Sequence, residues 1–232
     1  MIAIGGGMLM PRTGTPYHVQ HAIALSGKPA PRLCVLNQAV GDDPAYYLRF
    51  YDRLADSPAE VRHLSLFPMP NVPDPEDFLL SQDIIFVGGG SVANMVAVWR
   101  VHGIDQVLRK AWQAGIVLAG SSAGGICWFE GGTTDSFGAK LRPYTDALGM
   151  LPGSFCPHYN SEAERRPLYR RLVAEGTLPA GLACDDGVGA HYVDETLAEM
   201  VTDHPNGTAY RVEPDGTGGY TETPLPVRFL GE

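Results

Sequence analysis

Gly120-Ser121-Ser122-Ala123-Gly124 is the segment of this 232-residue chain whose residue types and spacing point most directly to covalent chemistry. It reads G-x-S-x-G and stands between an apolar run, 116–119, and a second apolar stretch holding Ile126, Cys127 and Trp128. With a strand entering and a helix leaving, such a segment is a nucleophile elbow: small neighbours let the backbone turn sharply and lift the serine hydroxyl to the C-terminal edge of a sheet. Ser122 is the expected attacker, while Ser121 fills the variable slot and is expected to point elsewhere. The plainer alternative is a glycine-rich phosphate cradle or a simple tight turn.

A serine hydroxyl needs a base within hydrogen-bond reach. Of seven histidines, His158 in Phe155-Cys156-Pro157-His158 is the best placed, downstream of the elbow and just past an apolar run. His18 and His21 belong to an early helix, His63 to a strand, His102 to a helix boundary, and His191 and His204 to the terminal strands. The base in turn needs a carboxylate to fix its tautomer. Asp186, in Asp185-Asp186-Gly187, ends a candidate strand, and Asp135 is the rival acid, whereas Asp42 and Asp43 read as loop or cap residues. The chain order Ser, His, Asp is not that of α/β-hydrolases, but such triads are defined by geometry. A second glycine run, Gly88-Gly89-Gly90-Ser91, follows another strand. Gly89 or Gly90 can offer one backbone donor to an oxyanion and Ala123, after the nucleophile, the other. No G-x-G-x-x-G with a following acid supports a dinucleotide site, and no His-Glu-x-x-His or similar spacing supports a metal.

These residues need a scaffold that gathers strand ends at one crevice. Apolar runs at 2–5, 32–36, 61–67, 84–87, 116–119 and 182–185 alternate with helical stretches at 18–25, 46–54, 92–101 and 104–114. That alternation predicts an α/β fold with a mostly parallel sheet covered by helices on both faces, ligands binding at the strand ends. Ile104, Val107, Leu108 and Ala111 fall at i, i+3, i+4 and i+7, one apolar stripe for packing on a sheet. A helix over 162–175 carries Arg165, Arg166, Arg170 and Arg171, with Pro167 in its first turn. One or two of these guanidiniums facing the crevice would clamp a substrate carboxylate, and the alternative is a solvated, salt-bridged face. After Asp194, turn signals at Pro205-Asn206-Gly207, Pro214-Asp215-Gly216 and Gly218-Gly219 predict a terminal antiparallel meander, with Asn206-Gly207 a hairpin turn. Without linker or repeat, residues 1–232 read as a single domain.

Composition narrows the partners. Acidic residues outnumber basic ones 26 to 17, which gives no support to general binding of nucleic acid or an anionic membrane. No signal-peptide pattern opens the chain and no apolar run spans a membrane, so a soluble cytoplasmic protein is expected. The four cysteines lie far apart and read as reduced. No cofactor is expected. A homodimer through the terminal strands or the loop at 67–73 is the assembly the sequence leaves open.

The chain resembles the peptidase E and cyanophycinase family of serine peptidases, whose fold is related to the class I glutamine amidotransferases. The resemblance runs through Ile4-Gly5-Gly6-Gly7, Phe86-Val87-Gly88-Gly89-Gly90, the elbow, Pro157-His158 and Asp185-Asp186-Gly187. It implies a flavodoxin-like three-layer fold, Ser122 as nucleophile, His158 as base, and amides of the glycine loop and Ala123 as oxyanion hole. It implies an acid at Asp186, where peptidase E has glutamate, with Asp135 as a supporting group. Together with spacing it makes Arg166, then Arg170, the first choice for a substrate clamp, and Ser91 a substrate contact where relatives carry asparagine. A cysteine at the elbow would imply thiol amidotransferase chemistry, and Ser122 stands there instead. The expected activity is hydrolysis of small peptides, with N-terminal aspartate the family's preference. An esterase or amidase using the same triad, and a silent binding module, are the alternatives.

Overall fold

The computed structural model describes residues 1–7 and 14–231. In chain order the elements are β1 (Ile2–Ile4), α1 (Tyr17–Ser26), β2 (Arg32–Leu36), α2 (Pro44–Arg53), β3 (Glu60–Leu64), α3 (Pro75–Leu80), β4 (Ile84–Val87), α4 (Val92–His102), α5 (Ile104–Gln113), β5 (Val117–Ser121) and α6 (Ala123–Ile126). There follow β6 (Gly131–Thr134), β7 (Arg142–Tyr144), β8 (Ser154–Cys156), α7 (Arg165–Ala174), β9 (Gly181–Cys184), β10 (Val188–Val193), β11 (Thr196–Thr202), β12 (Ala209–Pro214), β13 (Tyr220–Leu225) and β14 (Val227–Phe229).

An eight-stranded sheet in the order β14-β11-β10-β1-β5-β4-β2-β3 forms the body. From β1 to β3 it is parallel, as alternating strands and helices demand. Successive side chains leave a strand on opposite faces, and two cores result. Ile2, Ile4, Leu33, Val35, Ile84 and Phe86 pack with Val19 and Ala22 of α1 and Tyr47 and Phe50 of α2. Ala3, Cys34, Leu36, Ile85, Val87 and Leu118 face the other way, toward Leu79 of α3, Met95 and Trp99 of α4, and Leu108 and Ala111 of α5. The predicted stripe Ile104, Val107, Leu108 and Ala111 is the buried face of α5. Each such large aliphatic side chain contributes about 1.5–3 kcal/mol on burial. The turn before α2 is held by Asp43, which caps Ala45 N–H at 2.9 Å, and by buried Asp42, which accepts from Tyr47 Oη at 2.6 Å and Leu66 N–H at 2.6 Å.

The structure departs from the expected scaffold in the second half. Strand β9, expected in the same mostly parallel sheet as the elbow strand, belongs to a separate six-stranded sheet, β13-β12-β9-β8-β6-β7. Strands β6 to β8 hold only three or four residues each, too few to show a period in the sequence. The chain after Asp194 also divides: β11 and β14 join the main sheet, where they pair in parallel, while β12 and β13 form a hairpin in the second. Asn206-Gly207 therefore lies in a crossover between sheets and is not a hairpin turn. All four cysteines are buried and unbridged. No helix among the described residues is long and apolar enough to cross a membrane.

Candidate active site

Ser122 sits between β5 and α6 with φ 57 and ψ −114, a backbone state that non-glycine residues occupy only when their surroundings impose it. Close packing imposes it here. A Cβ on Gly120 would lie 2.1 Å from the Gly124 carbonyl oxygen, and one on Gly124 would lie 2.3 Å from that of Val87. Both glycines of the G-x-S-x-G segment are thus steric requirements of the bend. Ser122 N–H donates to the Ile4 carbonyl at 2.9 Å, fastening the bend to the end of β1.

His158 also has a positive φ, 54, and its N–H donates to the Gly5 carbonyl at 2.9 Å. Gly187, just past Asp186, donates to the Gly6 carbonyl at 3.0 Å. Three successive carbonyls at the end of β1 therefore hold the three segments that carry Ser122, His158 and Asp186. Their side chains meet: His158 Nε2 lies 2.8 Å from Ser122 Oγ, and His158 Nδ1 lies 2.6 Å from Asp186 Oδ1. With Nδ1–H donated to the carboxylate, Nε2 is left as an acceptor for the serine hydroxyl. Burial by itself would raise the Asp186 carboxyl, but hydrogen bonds from His158 and Ser161 and the charge of Arg165 outweigh it and hold the group below the usual carboxylate range.

Several supporting groups carry no local signal in the sequence. Gly6 lies against the His158–Asp186 pair, where a Cβ would stand 2.2 Å from Asp186 Oδ1. His204 Nε2 donates to the Asp186 carbonyl at 2.8 Å, His18 Nε2 bonds the Gly187 carbonyl at 2.9 Å, and Asn160 Oδ1 accepts from Asp186 N–H at 3.0 Å. The triple glycine directly after β1 is the sequence feature that could have drawn attention to Gly6.

The cleft over Ser122 has a volume of about 230 Å³, below the ~300–1,000 Å³ of sites for drug-sized ligands. Its floor is Ser122, His158, Gly6, Gly89 and Gly90, and its wall is Val40, Tyr46 and Phe50. Ser121, expected to point elsewhere, also lines the cleft, yet the hydroxyl bonded to His158 is that of Ser122. Gly89 is close beside the serine, a Cβ there lying 3.1 Å from Ser122 Cβ.

Other expected site residues stand elsewhere. Arg166 donates to Glu222 Oε2 at 2.6 Å, and Arg170 binds both oxygens of the same carboxylate, Nε at 2.9 Å. Arg166 also lies over the rings of Tyr159 and Tyr210, centroid distances 5.1 and 4.7 Å. The guanidiniums expected at the crevice are committed to a carboxylate from β13, and neither lines the cleft. Asp135 is exposed just past β6, and both ring nitrogens of His158 are already engaged. Ser91 caps α4, its hydroxyl accepting from Asn94 N–H at 3.2 Å.

The sequence pattern of peptidase family S51 matches residues 1–200. The chain belongs to peptidase family S51. This S51 member is therefore a serine-type peptidase. It is 41% identical over 233 residues to the uncharacterized peptidase YgaJ of Bacillus subtilis, covering all of this chain and 99% of that one. It is 30% identical over 129 residues to peptidase E of Streptomyces coelicolor, covering 55% of this chain and 51% of the relative. Among solved structures, a peptidase from an acI-B1 Actinobacterium superposes with TM-score 0.64 at 14% identity, over 97% of this chain and 93% of that one. At that identity the likeness between the two is one of fold, and it bears out the α/β architecture.

Proposed function

We propose that this S51 peptidase cleaves small peptides by acyl transfer through Ser122, with His158 as base and Asp186 as its orienting acid. The observation that carries the reading is the continuous pair of hydrogen bonds, 2.8 and 2.6 Å, from the strained serine through the imidazole to the carboxylate. His158 Nε2 removes the hydroxyl proton as Ser122 Oγ attacks the substrate carbonyl. The resulting oxyanion receives N–H donors from Ala123 and from Gly89 or Gly90. His158 then passes the proton to the departing amine and activates the water that frees the enzyme, while Asp186 stabilises the imidazolium.

The cleft wall bears on the choice of substrate. Val40, Tyr46 and Phe50 are uncharged, and among the described residues the cleft has no carboxylate or cationic side chain apart from the His158 imidazole. That supports short peptides with a neutral residue on the acyl side. The family's preference for N-terminal aspartate is the second reading, and one observation favours it. The Arg49 guanidinium lies 5.1 Å from the ring centroid of cleft residue Tyr46, and no described carboxylate pairs with it.

A fluorophosphonate probe, followed by a panel of dipeptides and p-nitrophenyl esters, tests both. The expected results are covalent labelling at Ser122, abolished in Ser122→Ala and His158→Ala, and turnover of peptides above esters. An unlabelled wild-type protein without peptide hydrolysis would overturn the reading. A preference for Asp-Xaa that disappears in Arg49→Ala would select the second one.

A further inference from the structure

A second cluster of chemically capable side chains lies apart from Ser122. His191 and Glu199 are directly paired across β10 and β11, so their side chains leave the sheet on one face. His191 is also paired with Ile2, whose face packs against α1, and from that helix His21 reaches the same spot. One nitrogen of each imidazole and one oxygen of Glu199 lie within 4.8 Å of one another. His191 Nδ1 is 3.4 Å and His21 Nε2 3.9 Å from the same Glu199 Oε1. Among the described residues no other group of three His, Cys, Asp or Glu side chains comes together in this way.

Two features point to an ion. Ligand atoms around a tetrahedral metal with bonds of about 2.0–2.1 Å stand roughly 3.3 Å apart. The His191–Glu199 spacing is already close to that, and His21 Nε2 stands about half an ångström further from the same oxygen. His21 Nε2 is also buried with no hydrogen-bond partner, an arrangement that native interiors rarely leave unfilled.

We propose that His21, His191 and Glu199 form a binding site for a divalent transition-metal ion of the zinc class. Two nitrogens and one oxygen suit Zn²⁺, Co²⁺ or Ni²⁺ and not Mg²⁺ or Ca²⁺, which take oxygen ligands. Arg228 holds both oxygens of Glu199, at 2.8 and 2.9 Å, and acts as the resident cation. Its half-exposed side chain is free to swing toward solvent when the metal enters. The bound ion would bolt α1 to β10 and β11. It takes no part in the chemistry at Ser122, so this site stands or falls independently of the proposed hydrolysis.

The test uses the whole chain stripped with a chelator, titrated with Zn²⁺ by calorimetry and followed by thermal unfolding. Expected are one Zn²⁺ lost on His21→Ala or His191→Ala, and a Tm raised by roughly 5–10 °C at a hundredfold excess over Kd. Arg228→Gln should tighten binding, because it removes the competing cation. Absence of saturable binding overturns the proposal. So does binding unchanged in His21→Ala but lost in His158→Ala, which would assign the ion to the serine site. Should the histidine variants fail to fold, Co²⁺ bound to the wild-type chain must show visible absorption that Glu199→Gln alters. A spectrum identical in both overturns the proposal equally.

Discussion

The α-carbon of Gly6 lies so close to His158 that a Cβ there would fall 2.3 Å from the imidazole Cε1. The backbone itself therefore packs directly against the ring, and position 6 has no room for a side chain beside the His158–Asp186 pair.

Gly6→Ala should consequently impair chemistry more than folding. With φ +150 at this position and two clashes, the variant must displace His158 or Asp186. We expect kcat to fall by about 100-fold or more, the scale of a 1 Å misplacement of a catalytic group. Steady-state kinetics beside a circular-dichroism melt checks this, and a kcat near that of wild type in a folded variant would contradict it.

Asp186→Asn should be nearly as harmful as removing the base. An amide offers its N–H₂ to Nδ1 as readily as its oxygen, and the tautomer that leaves Nε2 free for Ser122 is lost. A fall in kcat of about 10⁴-fold is expected, with little change in Tm. Asp135→Asn, altering an exposed side chain, should leave kcat within about twofold.

Glu222 makes stability depend on acid. Burial would raise its carboxyl, but hydrogen bonds from Arg170, Arg166 and Tyr159 bring it down to about 2 from an ordinary 4.5. A carboxylate lowered by folding contributes stability above its unfolded value and loses it as pH falls through the folded one. Stability should decline between about pH 4.5 and 2 by as much as about 3 kcal/mol. Glu222→Gln should flatten that decline and lower stability at pH 7, as urea unfolding across this range would show.

His204→Ala removes the donor to the Asp186 carbonyl and should lower kcat by about 10-fold without changing KM. Because His204 touches the acid only through its backbone, His204→Asn should restore part of the loss. A rise in KM in either variant would argue against the positioning role.

How much of this is legible in the sequence depends on range. The bend at Ser122 is legible because strand, small residues and helix are contiguous, and the stripe of α5 because its period is local. The Arg166–Glu222 pair is not: α7 shows a run of arginines, while the carboxylate that neutralises two of them arrives from a hairpin 52 residues after Arg170. A charge run read without its distant partner looks available for substrate. The second sheet is hidden for a similar reason, its short strands having meaning only when β8 and β9 are side by side.

The carbonyls of Ile4, Gly5 and Gly6 carry a temporal consequence. They leave the ribosome well before the groups they hold, the last of which is Gly187. Until that glycine has cleared the exit tunnel, the carbonyls can hold the segments of Ser122 and His158 but not the one that carries Asp186. The proposed triad is thereby completed only by the last of its three segments to be made.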